Sequence, residues 1–351
     1  CIFYFPFIIF NFLIFERCNP KAKKGKNLKN MEKLERLVWG GSLPITFVLA
    51  PGDVAQLHPP AARYVMASRM SYLPQVAEDA IASFRRAAAP SGGGAESVWF
   101  ESAGVPLKWQ LPVGVLVDAV RHHTTMAKDS SPSSVSALPF QVVIHFRDFP
   151  EDKVLRCNGT KDARWAYINN LKQSACLRFG SAKKVLTGLS AAQQQQMWDA
   201  IATGNQKQFC ACNVSLHGRK CPEQAQRRSI RLVAVMGTDA GSRLRNVLRP
   251  LETRIETGAE TGAAATVSKE EEQEEVDDAS TNTNINTVEG MISLGSFLNL
   301  EGIGEGEEGK IMIHGVEVPL EANIVDLHKS MSSADNCLYI VLSGTFVKKV
   351  L

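Results

Sequence analysis

From about residue 44 the chain alternates short apolar runs with polar breaks marked by glycine and proline. Pro44-Ile-Thr-Phe-Val-Leu49 is β-prone and stops at Pro51-Gly52. After Ser71, the positions Leu73, Val76, Ala80, Ile81 and Phe84 recur at helical spacing, and Pro90-Ser-Gly-Gly-Gly94 closes the pattern. Val98-Trp-Phe100 and Leu107-Lys-Trp109 read as strands on either side of an Ala103-Gly104 turn. Gly114 to Val120 reads as a short helix, Ser130 to Ser136 as a loop, and Phe140 to Phe146 as a strong strand.

The pattern changes over residues 158–222. Ala163, Trp165, Ile168, Leu171 and Ala175 recur at helical spacing, and Ser190-Ala-Ala-Gln193 is a capping box ahead of Met197, Trp198 and Ile201. Strand signals return with Ile230-Arg-Leu-Val-Ala-Val235. Residues 252–288 are rich in Thr, Ala, Gly and Glu, with seven acids in positions 270–278, so this stretch is expected to be a disordered acidic insertion. Beyond it, Ser293 caps a short helix with Leu294, Phe297 and Leu298. Ile311 to Leu320 reads as a hairpin about Gly315, Ile324 to Met331 as a helix and Leu338 to Leu342 as a last strand.

Two parts of the chain echo each other. Val98–Phe146 and Ile311–Leu342 each read strand, glycine turn, strand, helix, strand, with an earlier strand and helix in front. That order predicts small mixed sheets with helices on one face, an α+β fold. The expected organisation is one sheet module over 31–157, a helical module over 158–222 and a second sheet module over 223–351.

Composition adds little to this picture. The 351 residues are 44 % hydrophobic and 21 % charged, with a formal net charge of +3, as in an ordinary globular protein. The basic excess is local: Arg17, Lys21, Lys23, Lys24, Lys26 and Lys29 stand against Glu16 in residues 1–30. That segment carries +5 and leaves −2 for 31–351, which argues against a nucleic-acid partner. Ile2 to Phe15 is nearly unbroken apolar sequence, too short for a membrane span and without the charged start and cleavage site of a signal peptide. Residues 1–30 are therefore expected to be translated upstream sequence, with Met31 as the initiator.

Eight cysteines stand at 1, 18, 157, 176, 210, 212, 221 and 337, without the spacing of a disulfide framework. Cys210, Cys212, His217 and Cys221 form C-x-C-x4-H-x3-C. Three thiolates and an imidazole suit tetrahedral zinc, although Cys-x-Cys is tighter than the usual opening of a structural site. Phosphate-binding P-loops, H-E-x-x-H and G-x-S-x-G are absent from the sequence. Seven histidines are scattered along the chain, and His145 and His314, in strand patterns, read as packed or edge residues rather than ligands. No cofactor is called for, and an active site of the chain's own is not expected.

Several segments resemble the autophagy protein 5 family, and most closely its plant members. They are Val38-Trp-Gly-Gly-Ser-Leu-Pro44, Ser71-Tyr-Leu-Pro74, Ser97-Val-Trp-Phe-Glu101, Gly104-Val-Pro-Leu-Lys-Trp109 and Pro112-Val-Gly-Val-Leu-Val-Asp118, followed by Pro139, His145-Phe146, Phe149-Pro150, Arg249-Pro250 and Met312-Ile-His-Gly315. The resemblance implies two ubiquitin-like (β-grasp) domains flanking a helix-rich domain, and a scaffold rather than an enzyme. It also implies a lysine joined by an isopeptide bond to the ubiquitin-like autophagy protein 12, delivered by the pathway's conjugating enzymes. The conjugate would bind autophagy protein 16 and promote transfer of autophagy protein 8 to phosphatidylethanolamine, an E3-like role in the cytoplasm and at the phagophore membrane.

The family pattern, Lys-Asp and then a lysine about ten residues on after a hydrophobic residue, falls here on Lys161-Asp162 and Lys172. An acceptor amine must be exposed and held still. Trp165, Ile168 and Leu171 are expected to bury one side of its helix, with Lys172 at the edge of that stripe; from spacing alone Lys172 is equally a solvated helix lysine. The chain's last residues, Lys348-Lys-Val-Leu351, with the nearest glycine at Gly344, read as those of a receiver rather than a modifier. Arg219, Lys220, Arg227, Arg228, Arg231, Arg243, Arg245 and Arg249 are candidates for a basic face toward anionic lipid. An unconjugated ubiquitin-like interaction module and a zinc-binding protein are the alternatives.

Overall fold

The computed structural model describes residues 33–89, 98–126, 138–181, 189–212, 226–238, 241–253, 292–300 and 309–351. The 1–30 prefix and the acidic stretch from 254 onward lie outside the described residues.

The first module opens with a helix over residues 33–39 (α1). Next come β1 (Ser42–Leu49), β2 (Arg63–Ser68), α2 (Leu73–Val76), α3 (Glu78–Arg85), β3 (Trp99–Ser102), β4 (Val105–Pro106), α4 (Val113–Met126) and β5 (Phe140–His145). The sheet order is β2-β1-β5-β3-β4, with β1 and β5 parallel at its centre. Three helices follow: α5 (Thr160–Phe179), α6 (Ala191–Thr203) and α7 (Gln206–Cys212). The second module contains β6 (Gln226–Thr238), β7 (Gly241–Thr253), α8 (Leu294–Leu298), β8 (Gly309–Ile313), β9 (Val316–Glu317), α9 (Ile324–Met331), β10 (Cys337–Gly344) and α10 (Thr345–Val350). Its order, β7-β6-β10-β8-β9 with β6 parallel to β10, repeats that of the first sheet. Both modules are therefore β-grasp sheets, and the echo read from the sequence is structural.

Two strands escape the hydrophobic pattern. β2 and β7 are edge strands, each paired on one side only. Such a strand needs few buried residues and is protected by charge and proline. In β7 the run Arg243-Leu-Arg-Asn-Val-Leu-Arg-Pro250 follows that rule, so it reads as a basic surface although it pairs with β6 along its whole length. β10 is the reverse: it lies between β6 and β8, and Cys337 to Ser343 are all buried.

The two modules share α4. Val113, Val115, Leu116, Val117, Ala119 and Val120 are buried around its whole circumference, because it packs on β10 and β6 of the second sheet as well as on its own module. One core cluster joins both sheets and the helices between them. Asp118 projects from α4 into an ion pair with Arg69, the residue after β2. Gly315, in the β8–β9 turn, lies against that pair: a β-carbon there would stand 3.3 Å from both the Arg69 guanidinium and the Asp118 carboxylate.

Candidate functional site: an exposed lysine on a clamped helix

Helix α5 spans twenty residues, about 30 Å. Gly159 precedes it with φ of 107°, and Gly180 ends it in the left-handed conformation, its amide donating to the Cys176 carbonyl at 2.9 Å. Asp162 in the first turn accepts from the Asn158 amide at 2.8 Å.

Its buried face is Ala163, Tyr167, Leu171, Ser174 and Ala175, a set at i, i+4, i+8, i+11 and i+12 that lies on one side of an α-helix. This corrects the expected supporting face. Leu171 is buried and Ile168 packs at its margin, but Trp165 is 67 % exposed. Two residues from Ala163 and two turns from Lys172, Trp165 falls on the side away from the core. Lys172 shares that side, rather than the edge of the buried stripe. It is exposed, and its Nζ stands 5.5 Å from the centre of the Trp165 ring, an arrangement worth about 0.5–1 kcal/mol at an exposed site.

The opposite side of α5 is clamped to the second sheet. Ser174 Oγ and Cys337 Sγ are 2.9 Å apart, and Ser229 Oγ donates to Ser174 Oγ at 3.0 Å. Arg231 on β6 donates through Nη2 to Asn170 Oδ1 at 3.1 Å and Gln173 Oε1 at 2.5 Å. Tyr167 packs with Tyr72 of the first module and Trp198 of α6. Asp335 lies in the same junction, accepting from the Tyr339 hydroxyl at 2.5 Å and the Cys337 amide at 3.2 Å. Burial raises the Asp335 carboxyl above its ordinary range, and Arg231 opposes the shift. Burial, with Asp335 adding to it, pushes the Cys337 thiol up to about 11, so Cys337 packs as a thiol and is no nucleophile.

This assigns two of the expected lipid-facing arginines elsewhere. Arg231 is 7 % and Arg228 9 % exposed. Both are buried on β6, and Arg231 holds α5. Arg227, Arg243 and Arg245 are exposed; Arg219 and Lys220 lie outside the described residues. Sequence reasoning missed the clamp because its parts, Asn170, Gln173, Ser174, Arg231, Asp335 and Cys337, come from three distant segments. The i, i+4, i+8 spacing of Ala163, Tyr167 and Leu171 was the one available signal, obscured by Trp165 as the larger apolar residue.

Half of the zinc motif is described. Cys210 is exposed, whereas Cys212 is buried with its thiol 3.1 Å from Gln196 Oε1; the two do not converge. His217 and Cys221 lie outside the described residues. Among those described, no three His, Cys, Asp or Glu side chains are placed to hold a metal ion. His145 stacks on Trp99 at 3.8 Å and lies 3.4 Å from Glu101 Oε2, and His314 Nε2 lies 2.8 Å from the Met331 carbonyl.

Comparison with known proteins supplies the lineage. Three models of one family match in order: "Autophagy protein ATG5, UblA domain" over residues 38–146, the alpha-helical bundle region over 160–218 and the UblB domain over 262–342. An autophagy protein 5 of Neosartorya fischeri is 28 % identical over 92 % of this chain and 98 % of its own length. That of Oryza sativa subsp. indica is 34 % identical over 48 % of this chain, a stretch spanning 40 % of the rice protein. In Arabidopsis thaliana the figures are 29 %, 48 % and 46 %. The crystal structure of Kluyveromyces marxianus Atg5 superposes with a TM-score of 0.59 at 18 % identity, covering 88 % of this chain and 99 % of that one. With all three domain models matched in order over the two β-grasp modules and the helices between them, the chain belongs to the autophagy protein 5 family.

Proposed function

We propose that this protein is a non-catalytic scaffold of autophagosome formation, conjugated through Lys172 to the ubiquitin-like autophagy protein 12. Membership of the family supports the autophagy role. The single observation that carries the finer reading is the exposed Lys172 amine on a helix whose opposite face is fixed to the second sheet. The conjugating enzyme presents the modifier's C-terminal glycine as a thioester. The deprotonated amine attacks that carbonyl, the C–N bond forms, the C–S bond breaks and the thiolate leaves. The chain's task is to offer the amine without sterically blocking the thioester, and to hold it still while the bulky enzyme docks.

In this reading the conjugate binds autophagy protein 16 and promotes transfer of autophagy protein 8 to phosphatidylethanolamine, in the cytoplasm and at the phagophore membrane. The exposed Arg227, Arg243 and Arg245 support peripheral contact with anionic lipid.

The test is Lys172→Arg, which keeps the charge and removes the acylatable amine. With the pathway's activating and conjugating enzymes and the modifier, the parent chain is expected to give a slower-migrating adduct with a branched peptide at Lys172, and the variant none. An adduct that persists in the variant puts the bond on another lysine. A parent chain that forms no adduct leaves the unconjugated interaction module as the function.

A further inference from the structure

The two sheet modules meet at a concave surface. Lys108, Gln110 and Leu111, which lead into α4, form one wall. Residues 151–155 form another, and Arg243 and Asn246 of β7 a third, around a cavity of about 330 Å3. The walls are fixed. Trp109 Nε1 donates to the Leu155 carbonyl at 2.7 Å, the Lys153 and Val154 amides donate to the Pro150 carbonyl at 3.1 and 3.2 Å, and Lys108 Nζ donates to Asn246 Oδ1 at 3.2 Å. Lys153 also approaches the tip of the β6–β7 hairpin, its Nζ lying 3.6 Å from where a β-carbon of Gly241 would stand.

Cations outnumber acids in this pocket. Lys108, Lys153 and Arg243 line it against Asp152 and Glu151, and Glu151 is engaged by Arg156. Lys108 is half-buried; loss of water and the neighbouring Arg243 both lower its pKa, the strain that an anion between two like charges relieves. The side-chain oxygen of Gln110 is buried with no hydrogen-bond partner among the described residues. Turned over, that amide offers its NH2 to an anionic occupant. At the rim Leu155 is 66 % exposed, an apolar side chain beside a cationic hollow.

We propose that this pocket receives the phosphate of an anionic phospholipid headgroup, gripped by Lys108, Lys153 and Arg243, with Leu155 entering the acyl boundary beside it. A free phosphate compound satisfies the cations equally, but it gives Leu155 nothing to cover it. The proposal deepens the membrane part of the function proposed above and is independent of conjugation at Lys172.

The experiment is co-flotation of the full chain with vesicles of phosphatidylcholine alone and of phosphatidylcholine mixed with phosphatidic acid. The chain is expected to float with the mixed vesicles and not with the neutral ones. Lys108→Gln with Arg243→Gln is expected to weaken partitioning by about tenfold or more, because two cations no longer face the anionic surface. Lys33→Gln with Lys207→Gln removes the same charge from exposed positions on α1 and α7 and is expected to change it less than about twofold. Leu155→Ser weakens it without altering charge.

Equal losses in the two double variants, or flotation of the pocket variant like the parent, overturn the pocket and leave membrane contact standing. A parent chain that never floats overturns both. Inorganic phosphate that shifts the pocket's amide resonances while vesicles fail to bind identifies a soluble phosphate ligand and overturns the lipid assignment. Arg243→Gln alone, at an exposed position, keeps the test decisive if the double variant does not fold.

Discussion

His314 and His328 are imidazoles held neutral by their surroundings. Burial, and then the Arg69 guanidinium, lowers His314 to about 4; burial, and then Arg228 and Arg178, lowers His328 to about 3. In the unfolded chain both titrate near 6.5. Above pH 6.5 neither state binds the proton and the two histidines do not affect stability. Between 6.5 and the folded values only the unfolded chain takes it up, so stability falls with pH, by several kcal/mol as an order of magnitude. Asp335, raised by burial, acts in the opposite sense and offsets part of the loss. The denaturant midpoint is expected to drop between pH 7 and pH 4, and His314→Gln and His328→Gln should each flatten that slope. A midpoint unchanged over this window would show the imidazoles to be charged in the fold. Burial of this sort is hard to read from a chain: His314, in a strand pattern, reads as a packed or edge residue, whereas nothing in the sequence singles out His328, which is buried on its helix. Trp165 and Arg231 did not read correctly. Size suggested that Trp165 is covered, and charge suggested that Arg231 is exposed; the clamp on α5 reverses both.

At the level of elements, the two modules offer a matched pair. The turns Ala103-Gly104 and His314-Gly315 each join antiparallel strands through two residues with positive φ, 50° and 75° in the first, 50° and 80° in the second. This is the turn whose twist suits a β-hairpin, and it favours glycine at its second position. An alanine costs about 1–2 kcal/mol in left-handed backbone at either place. Their surroundings differ. A β-carbon at Gly104 meets nothing within 4 Å, whereas one at Gly315 meets Arg69 and Asp118 at 3.3 Å. Gly315→Ala is therefore expected to destabilise more than Gly104→Ala by chemical denaturation, and equal losses would mean that the turn alone sets the cost. Both hairpins were legible because glycine turns between apolar runs are strong local signals. β2 and β7 were not, since an edge strand with one partner carries half the hydrophobic pattern and, in β7, a row of arginines. The helical middle was visible in its periodicity and in the Ser190 cap, which the fold keeps: Ser190 Oγ accepts from the Gln193 amide at 3.2 Å.

On the scale of the whole molecule, two small sheets become one body because α4 is buried between them and because Arg69 and Asp118 close the seam at Gly315. Neither partner has water to fall back on: their side chains are 11 % and 7 % exposed. Arg69 also donates to the Gly114 carbonyl at 3.3 Å, tying the end of β2 to the start of α4. A buried pair of this kind adds little over apolar side chains of the same volume, but removing one member leaves a charge without compensation, at about 3–5 kcal/mol. Arg69→Met is thus expected to lower the stability of the whole chain by that order. Arg69→Met with Asp118→Leu should recover most of the loss, since it removes the orphaned carboxylate and extends the apolar seam. The measurement is equilibrium unfolding followed by separate probes of the two modules. Because the pair sits where β2, α4 and the β8–β9 turn converge, the single variant should lower both transitions together. If only the first module weakens, the seam does not couple the two sheets. If the double variant is as unstable as the single, the loss comes from Arg69 packing against Gly41, Gly114 and Gly315 rather than from its charge.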